Sequence, residues 1–225
     1  MNKPIEKPLF IGLKAAKANL IPGLIIQSVM LSVVLAYYWN EPTRIWLNLL
    51  AEWKARLGYG FSVPMAMVAG ALLPELLKIV MVQRGTVHRA NFKNLGFTLV
   101  FWGFMGASCD TFYKWQTVWF GGAATVWILI QKVIVDQFLY CPFWATPLSV
   151  WAYEWKNRGY ANTSGFLTLG FYRAQILPVL IANWGVWLVL VSIIYSLPSL
   201  LQIPLFGLAL TFWVLIMTYM SERKN

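Results

Sequence analysis

The sequence is poor in charged residues and in the residues that hold metals. Only 12% of its 225 residues are Asp, Glu, Lys or Arg, about half the share of a typical soluble domain. One histidine and two cysteines are too few for a zinc site or for a haem held by two histidines. The chain also lacks a His-Glu-x-x-His motif, a nucleophile elbow and a glycine-rich phosphate loop. We therefore expect no enzyme, no metal site and no cofactor.

What the sequence does contain is long stretches without charge. Residues 18–39 and 176–220 carry no charged side chain, and hydrophobic residues make up 59% of the chain. A helix of about 20 apolar residues crosses the hydrocarbon of a bilayer. The 13 tryptophans and ten tyrosines suit the aromatic belts at the two membrane surfaces. These features predict an all-α fold, a polytopic transmembrane helical bundle.

The apolar runs divide the chain into six predicted spans. The fourth, at about 30 residues and therefore about 45 Å, is longer than the roughly 30 Å of hydrocarbon. Pro142 and Pro147 are expected to kink it or end it early. The six predicted spans are residues 18–39, 61–83, 95–113, 121–150, 172–196 and 199–220.

A further helix is predicted between the first two spans, lying on the membrane surface. Pro42 suits its first turn and Gly58 its end. An apolar stripe with aromatic and basic flanks is typical of such an interfacial helix. The apolar face comprises Ile45, Trp46, Leu49, Leu50, Trp53 and Leu57, and the polar remainder comprises Arg44, Asn48, Glu52, Lys54 and Arg56.

The net charge of +10 does not indicate nucleic acid as a partner, because the basic residues lie in short loops between apolar runs. There they orient the protein and attract lipid headgroups, so we expect membrane lipids, anionic ones included, as partners. Oligomerisation stays open.

Both termini are predicted to be cytoplasmic, because this orientation places most of the loop Lys and Arg residues inside. Residues 1–17 contain Glu6 but no Arg or Ser, and the first apolar stretch lacks a signal-peptide cleavage site. We therefore expect a bacterial inner membrane rather than a mitochondrial inner or peroxisomal membrane. Inside would lie Lys3, Lys7, Lys14, Lys17, Arg84, Arg89, Lys93, Lys156, Arg158, Arg173, Arg223 and Lys224, and outside Arg44, Lys54, Arg56 and Lys114.

Ionisable residues within predicted spans are the functional candidates, since burying charge in a bilayer is costly. Two pairs share a helix face at spacings of three and four residues. They either form a polar path through the bundle or neutralise each other and fix helix packing. The candidates are Glu75 with Lys78, Lys132 with Asp136, the neighbouring Gln137, and Asp110 near the end of the third span.

Three stretches, in order and spacing, resemble the peroxisomal membrane protein 22 / Mpv-seventeen family. Residues 103–113 match its Gly-x-x-Gly-Pro-x-x-His-x-Trp-Tyr pattern, with Ala107, Asp110 and Phe112 replacing Pro, His and Trp. Residues 132–142 match its Lys-x-x-x-Asp-Gln followed by Pro, the most specific of the three. Residues 183–221 resemble its C-terminal block, although Leu188, Val191 and Ile194 stand where the family usually has polar residues.

The resemblance covers residues 53–221. It implies an extra N-terminal part, residues 1–57, ahead of a five-span family core, residues 58–225. It also implies a weakly selective channel for ions or small metabolites. In the leading hypothesis the polar lining of such a pore comes from Asp136, Lys132 and Gln137 with Asp110, Glu75 and Lys78, although Glu75 does not align without gaps with the family's acidic residue. The alternative is a non-conducting structural or lipid-binding membrane protein, and a membrane enzyme of unrecognised type is a third hypothesis. The sequence does not identify a solute.

Overall fold

The described part of the chain folds into eight helices and contains no strand. The computed structural model describes residues 8–161 and 163–222, with side chains as far as residue 213 in the last helix. The all-α prediction is confirmed for these residues. The helices are α1 (Pro8–Ala18), α2 (Leu20–Trp39), α3 (Glu41–Leu57), α4 (Tyr59–Val82), α5 (Arg89–Phe120), α6 (Val126–Asn157), α7 (Leu169–Tyr195) and α8 (Ser199–Glu222).

Four of these helices are long and apolar enough to cross a membrane: α2, α4, α6 and α7. The predicted count of six is not reached by this criterion. Helix α5 is long, but Asp110, Gln116 and other polar residues make its sequence too polar for this criterion. Helix α8 qualifies only as a shorter apolar helix over its described side chains, Ser199–Trp213.

The outward-facing surface of the bundle is apolar. Val80, Val100 and Phe143 are 66%, 76% and 72% exposed, and they lie on three different helices. Large exposed apolar surface on a soluble protein usually marks a binding or membrane-contacting face. Such a surface is suited to lipid chains, in keeping with the four helices that are long and apolar enough to cross a membrane.

Prolines widen the long helices without ending them. Helix α6 continues through Pro142 and Pro147 to Asn157 and is π-helical from Asp136 to Ala145. The expectation that it ends early is therefore wrong. The π-helical segments Val68–Leu72 and Tyr172–Ile176 likewise end two residues before a proline. A proline ring collides with the carbonyl four residues earlier, and a wider turn moves that carbonyl aside.

The N-terminal helices belong to the same core as the later ones. Ile26, Met30 and Val34 lie four residues apart on α2 and are almost fully buried. They form one apolar cluster with side chains of α3, α7 and α8, including Leu190 and Leu205. Helix α1, which was not predicted, packs along α7, where a Cβ on Gly12 would lie 2.8 Å from Ile181 Cβ.

Helix α3 has three faces rather than the two expected. Leu47, Ala51 and Lys54 follow one another at helical spacing and are buried against the protein. Trp46 and Trp53 are exposed on the adjoining stripe, where an interfacial helix meets lipid. Lys54 was placed among the polar surface residues from sequence, and this placement is corrected: its side chain is buried.

Candidate functional site

A partly enclosed cavity of about 360 Å³ lies between the last four helices. The lining of α5 runs from Phe101 to Tyr113, which at 1.5 Å per residue corresponds to about 18 Å. The cavity is therefore elongated along the helices. Helix α6 contributes side chains between Asp136 and Tyr153, α7 between Val179 and Val191, and α8 between Phe206 and Trp213.

The π-helical segment of α6 brings polar groups to this cavity. Asp136 and Gln137 open the segment, both are buried, and both line the cavity. Tyr140 and Cys141, one turn further, line it as well. Wide π-helical turns are frequent at functional sites, because they redirect side chains that a regular helix would turn elsewhere.

The Asp136 carboxylate is held by hydrogen bonds rather than by a cation. The Tyr195 hydroxyl donates to Oδ2. Gln137 Nε2 donates to Oδ1 at 2.9 Å, and the Cys141 thiol donates to the same oxygen at 3.4 Å. No ion pair within the described part of the chain includes Asp136.

Pro142 leaves a gap in the backbone hydrogen bonding of α6 that α7 fills. In a π-helical turn the carbonyl of Gln137 would accept from the N–H five residues later, but that residue is Pro142, which has none. Trp184 Nε1 donates to the Gln137 carbonyl instead, at 2.9 Å. The side-chain oxygen Oε1 of Gln137 is buried and has no hydrogen-bond partner among the described residues.

Lys132 does not form the expected pair with Asp136, although they are one turn apart. Its side chain is buried, and it takes part in none of the ion pairs found among the described residues. Only its backbone carbonyl has a side-chain partner, accepting from Gln116 Nε2 at 3.0 Å. Lys132 also does not line the cavity. The structure therefore separates two residues that sequence spacing brought together.

Asp110 belongs to a second, closed cluster away from the cavity. Lys54 Nζ of α3 lies 2.7 Å from its Oδ2, and Ser62 Oγ of α4 donates to the same atom at 2.7 Å. The half-exposed Lys114 approaches to 3.4 Å. Sequence analysis missed Lys54 as a partner, although its spacing from Leu47 and Ala51 could have indicated a buried position.

Glu75 lies in a third cluster, joined by the start of α5. Asn91 Nδ2 donates to its Oε1 at 2.5 Å, and Asn94 Nδ2 donates to its Oε2. The predicted pair with Lys78 is present, with a separation of 3.6 Å. Lys156 of α6 donates to the Asn94 side-chain oxygen and so connects a third helix to the cluster.

The six candidate residues therefore do not form one common site. Only Asp136 and Gln137 line the cavity, whereas Asp110 and Glu75 are each bound to a lysine elsewhere. The cavity's aromatic wall and Tyr195 had no sequence signal, because single aromatic residues in apolar runs are ordinary core residues. No group of three His, Cys, Asp or Glu side chains in the described residues could hold a metal ion.

No protein-family model, no curated protein and no solved structure matches the chain. The resemblance to the peroxisomal membrane protein 22 family therefore stays a prediction, and the function has to be argued from the cavity itself.

Proposed function

We propose that this chain is an integral membrane protein that binds a small, mostly apolar molecule in the cavity lined by α5, α6, α7 and α8. The main support for this function is the composition of the cavity wall. Eight of its 20 residues are aromatic, and Asp136 is its only ionisable carboxylate. Apolar walls with a few polar groups at defined positions are typical of ligand sites.

The distribution of charge favours this function over a weakly selective channel. A pore needs its charged residues around one water-filled path. Here Asp110 and Glu75 are in clusters in which their oxygens are already bonded to lysine, serine or asparagine side chains. Such clusters tie helices together, and neither lines the cavity. The alternative of a non-conducting, lipid-binding membrane protein therefore has the stronger support.

The proposed topology has six crossings with both termini in the cytoplasm. Helices α5 and α8 would complete the crossings begun by α2, α4, α6 and α7, since an even number returns the chain to its starting side. The loops at 83–88 and 158–168 would then be cytoplasmic, in keeping with Arg84 and Arg158. Helix α3 would lie at the opposite surface.

Saturable quenching of tryptophan fluorescence tests the binding function. The purified full-length protein in nanodiscs is titrated with 11-bromo-1-undecanol, a neutral quencher with a long apolar chain. We expect a saturable component, because Trp187 and Trp213 line the cavity. Ala145→Phe, which fills the cavity, should remove that component. Val118→Phe is the matched control, since Val118 is 81% exposed.

The same preparation separates binding from conduction. Reconstituted liposomes loaded with a fluorescent anion or cation should leak no faster than protein-free liposomes. Flux that depends on the protein and disappears in Asp136→Asn would instead favour the channel. Quenching without a saturable component in the wild type, or unchanged quenching in Ala145→Phe, would contradict the binding function.

A further inference from the structure

The geometry points to an organic monocation, an amine or quaternary ammonium attached to an apolar body, as the occupant of the cavity. This inference rests on the proposed binding function and specifies its ligand class. It depends on three features: an uncompensated carboxylate, an aromatic wall and the elongated shape of the space.

Asp136 is the exception among the three buried carboxylates described. Glu75 and Asp110 each have a lysine within ion-pair distance, at 3.6 and 2.7 Å. Asp136 is 4% exposed and has only neutral donors, namely Tyr195, Gln137 and Cys141. A buried carboxylate is costly as an anion unless a cation compensates it, and without one it is neutralised by a proton. A cationic ligand would supply the charge that the protein omits at this position.

Free acceptor capacity remains beside that carboxylate. Asp136 Oδ2 accepts one hydrogen bond, from Tyr195, although a carboxylate oxygen can accept two. The Gln137 amide is oriented by its donation to Asp136, which leaves its Oε1 as an acceptor without a partner in the described residues. A protonated amine has N–H donors for Asp136 Oδ2, whereas a quaternary ammonium has none and matches the carboxylate by its charge alone. The buried Gln137 Oε1 adds a partial negative charge near that carboxylate.

The walls suit an organic cation better than a metal ion. Ca²⁺ and Mg²⁺ each need six or more oxygen ligands, which carboxylates, carbonyl groups and water supply. The cavity supplies one carboxylate and aromatic rings such as Trp102, Tyr140 and Trp187. Ring faces attract ammonium groups, most strongly where water is excluded. The whole cavity is about 18 Å long along α5, which leaves room for an apolar body beside the cation.

A pair of isosteric probes tests the charge preference directly. Benzyltrimethylammonium carries a positive nitrogen where neopentylbenzene, of the same shape, has a neutral carbon. Binding of each to the full-length protein in nanodiscs is measured by equilibrium dialysis, with protein-free nanodiscs subtracted. We expect the cation to bind the wild type about tenfold more tightly than the neutral probe. In Asp136→Asn we expect that difference to fall to about twofold or less.

Glu154→Gln is the matched control, because it removes the same charge from a carboxylate that pairs with Arg158 and does not line the cavity. It should keep the preference. Equal binding of both probes by the wild type would overturn the cation inference and leave the binding function standing. Binding of neither probe would overturn both. A preference retained in a folded Asp136→Asn protein would also overturn the inference, and if that variant fails to fold, the wild-type comparison alone decides.

Discussion

Lys54 Nζ lies 2.7 Å from Asp110 Oδ2, and both side chains are almost fully buried. This ion pair joins the amphipathic helix α3 to α5, across 56 residues of sequence. Ser62 at the start of α4 donates to the same carboxylate oxygen. Three helices thus meet at one oxygen atom, and α3 is attached to the bundle by a buried ion pair.

Replacing Lys54 by Met should destabilise the protein by about 3–5 kcal/mol, because Asp110 would remain buried without its main cation. Reversible unfolding in mixed micelles at increasing SDS fraction measures the loss. Lys114→Met is the control: its side chain is 47% exposed, so its loss should cost about 1 kcal/mol or less. The double variant Lys54→Met with Asp110→Leu should recover most of the stability, since no buried unpaired charge remains and the released Lys114 is half-exposed. A Lys54→Met protein as stable as the wild type would contradict the importance of this pair.

Replacing Gly106 by Ala should destabilise the contact between α4 and α5. A Cβ at Gly106 would lie 2.6 Å from Ala66 Cβ and 2.9 Å from the Ser62 carbonyl oxygen. Neither neighbour can rotate away, so the helices must separate, at a cost of about 1–3 kcal/mol. Gly96→Ala on the same helix is the matched control, because its Cβ would meet nothing within 4 Å. The same unfolding assay applies, and equal effects at the two glycines would argue against close packing at Gly106.

Trp184→Phe should cost about 1–3 kcal/mol, because the Gln137 carbonyl would lose the donor that stands in for the missing N–H of Pro142. In a Pro142→Ala background the cost should be smaller, since an alanine N–H can bond this carbonyl in the π-helical register. A double-mutant cycle on unfolding free energies measures the difference. Identical costs in the two backgrounds would show that Trp184 does not compensate for Pro142.

The six-span topology predicts which loops share a side of the membrane. In a background with Cys109 and Cys141 replaced by Ser, single cysteines at Thr86 and Ala161 should be labelled by an impermeant maleimide only from the cytoplasmic side. Cysteines at Ala123 and Pro198 should be labelled only from the opposite side. Sealed vesicles of known orientation provide the measurement, and detergent-opened vesicles provide the control for reactivity. If cysteines at positions 86 and 123 were both labelled from the same side, a membrane crossing by α5 would be contradicted.

The predictable part of this protein came from local patterns. Uncharged runs marked α2 and α7, and the spacing of Pro42, Trp46 and Trp53 marked α3 as an amphipathic helix. The Glu75–Lys78 pair is also local, because residues three apart share a helix face. Such features depend on a few consecutive side chains and on the thickness of a bilayer, so they can be derived from the sequence without knowing the packing of the helices.

Tertiary structure alone decided how the buried charges are partnered. Lys132 and Asp136 share the spacing that predicts a pair, yet Asp136 is bonded to Tyr195, 59 residues away. Lys54 is of a residue type usually found at the surface, yet it is buried against Asp110. The cavity exists because four helices and a proline-widened turn leave space around Asp136, and no local pattern encodes the space between helices. By itself, therefore, the sequence determined helices long and apolar enough to cross a membrane and the ionisable residues within them, whereas helix packing left the Asp136 carboxylate beside a cavity without a counterion among the described residues.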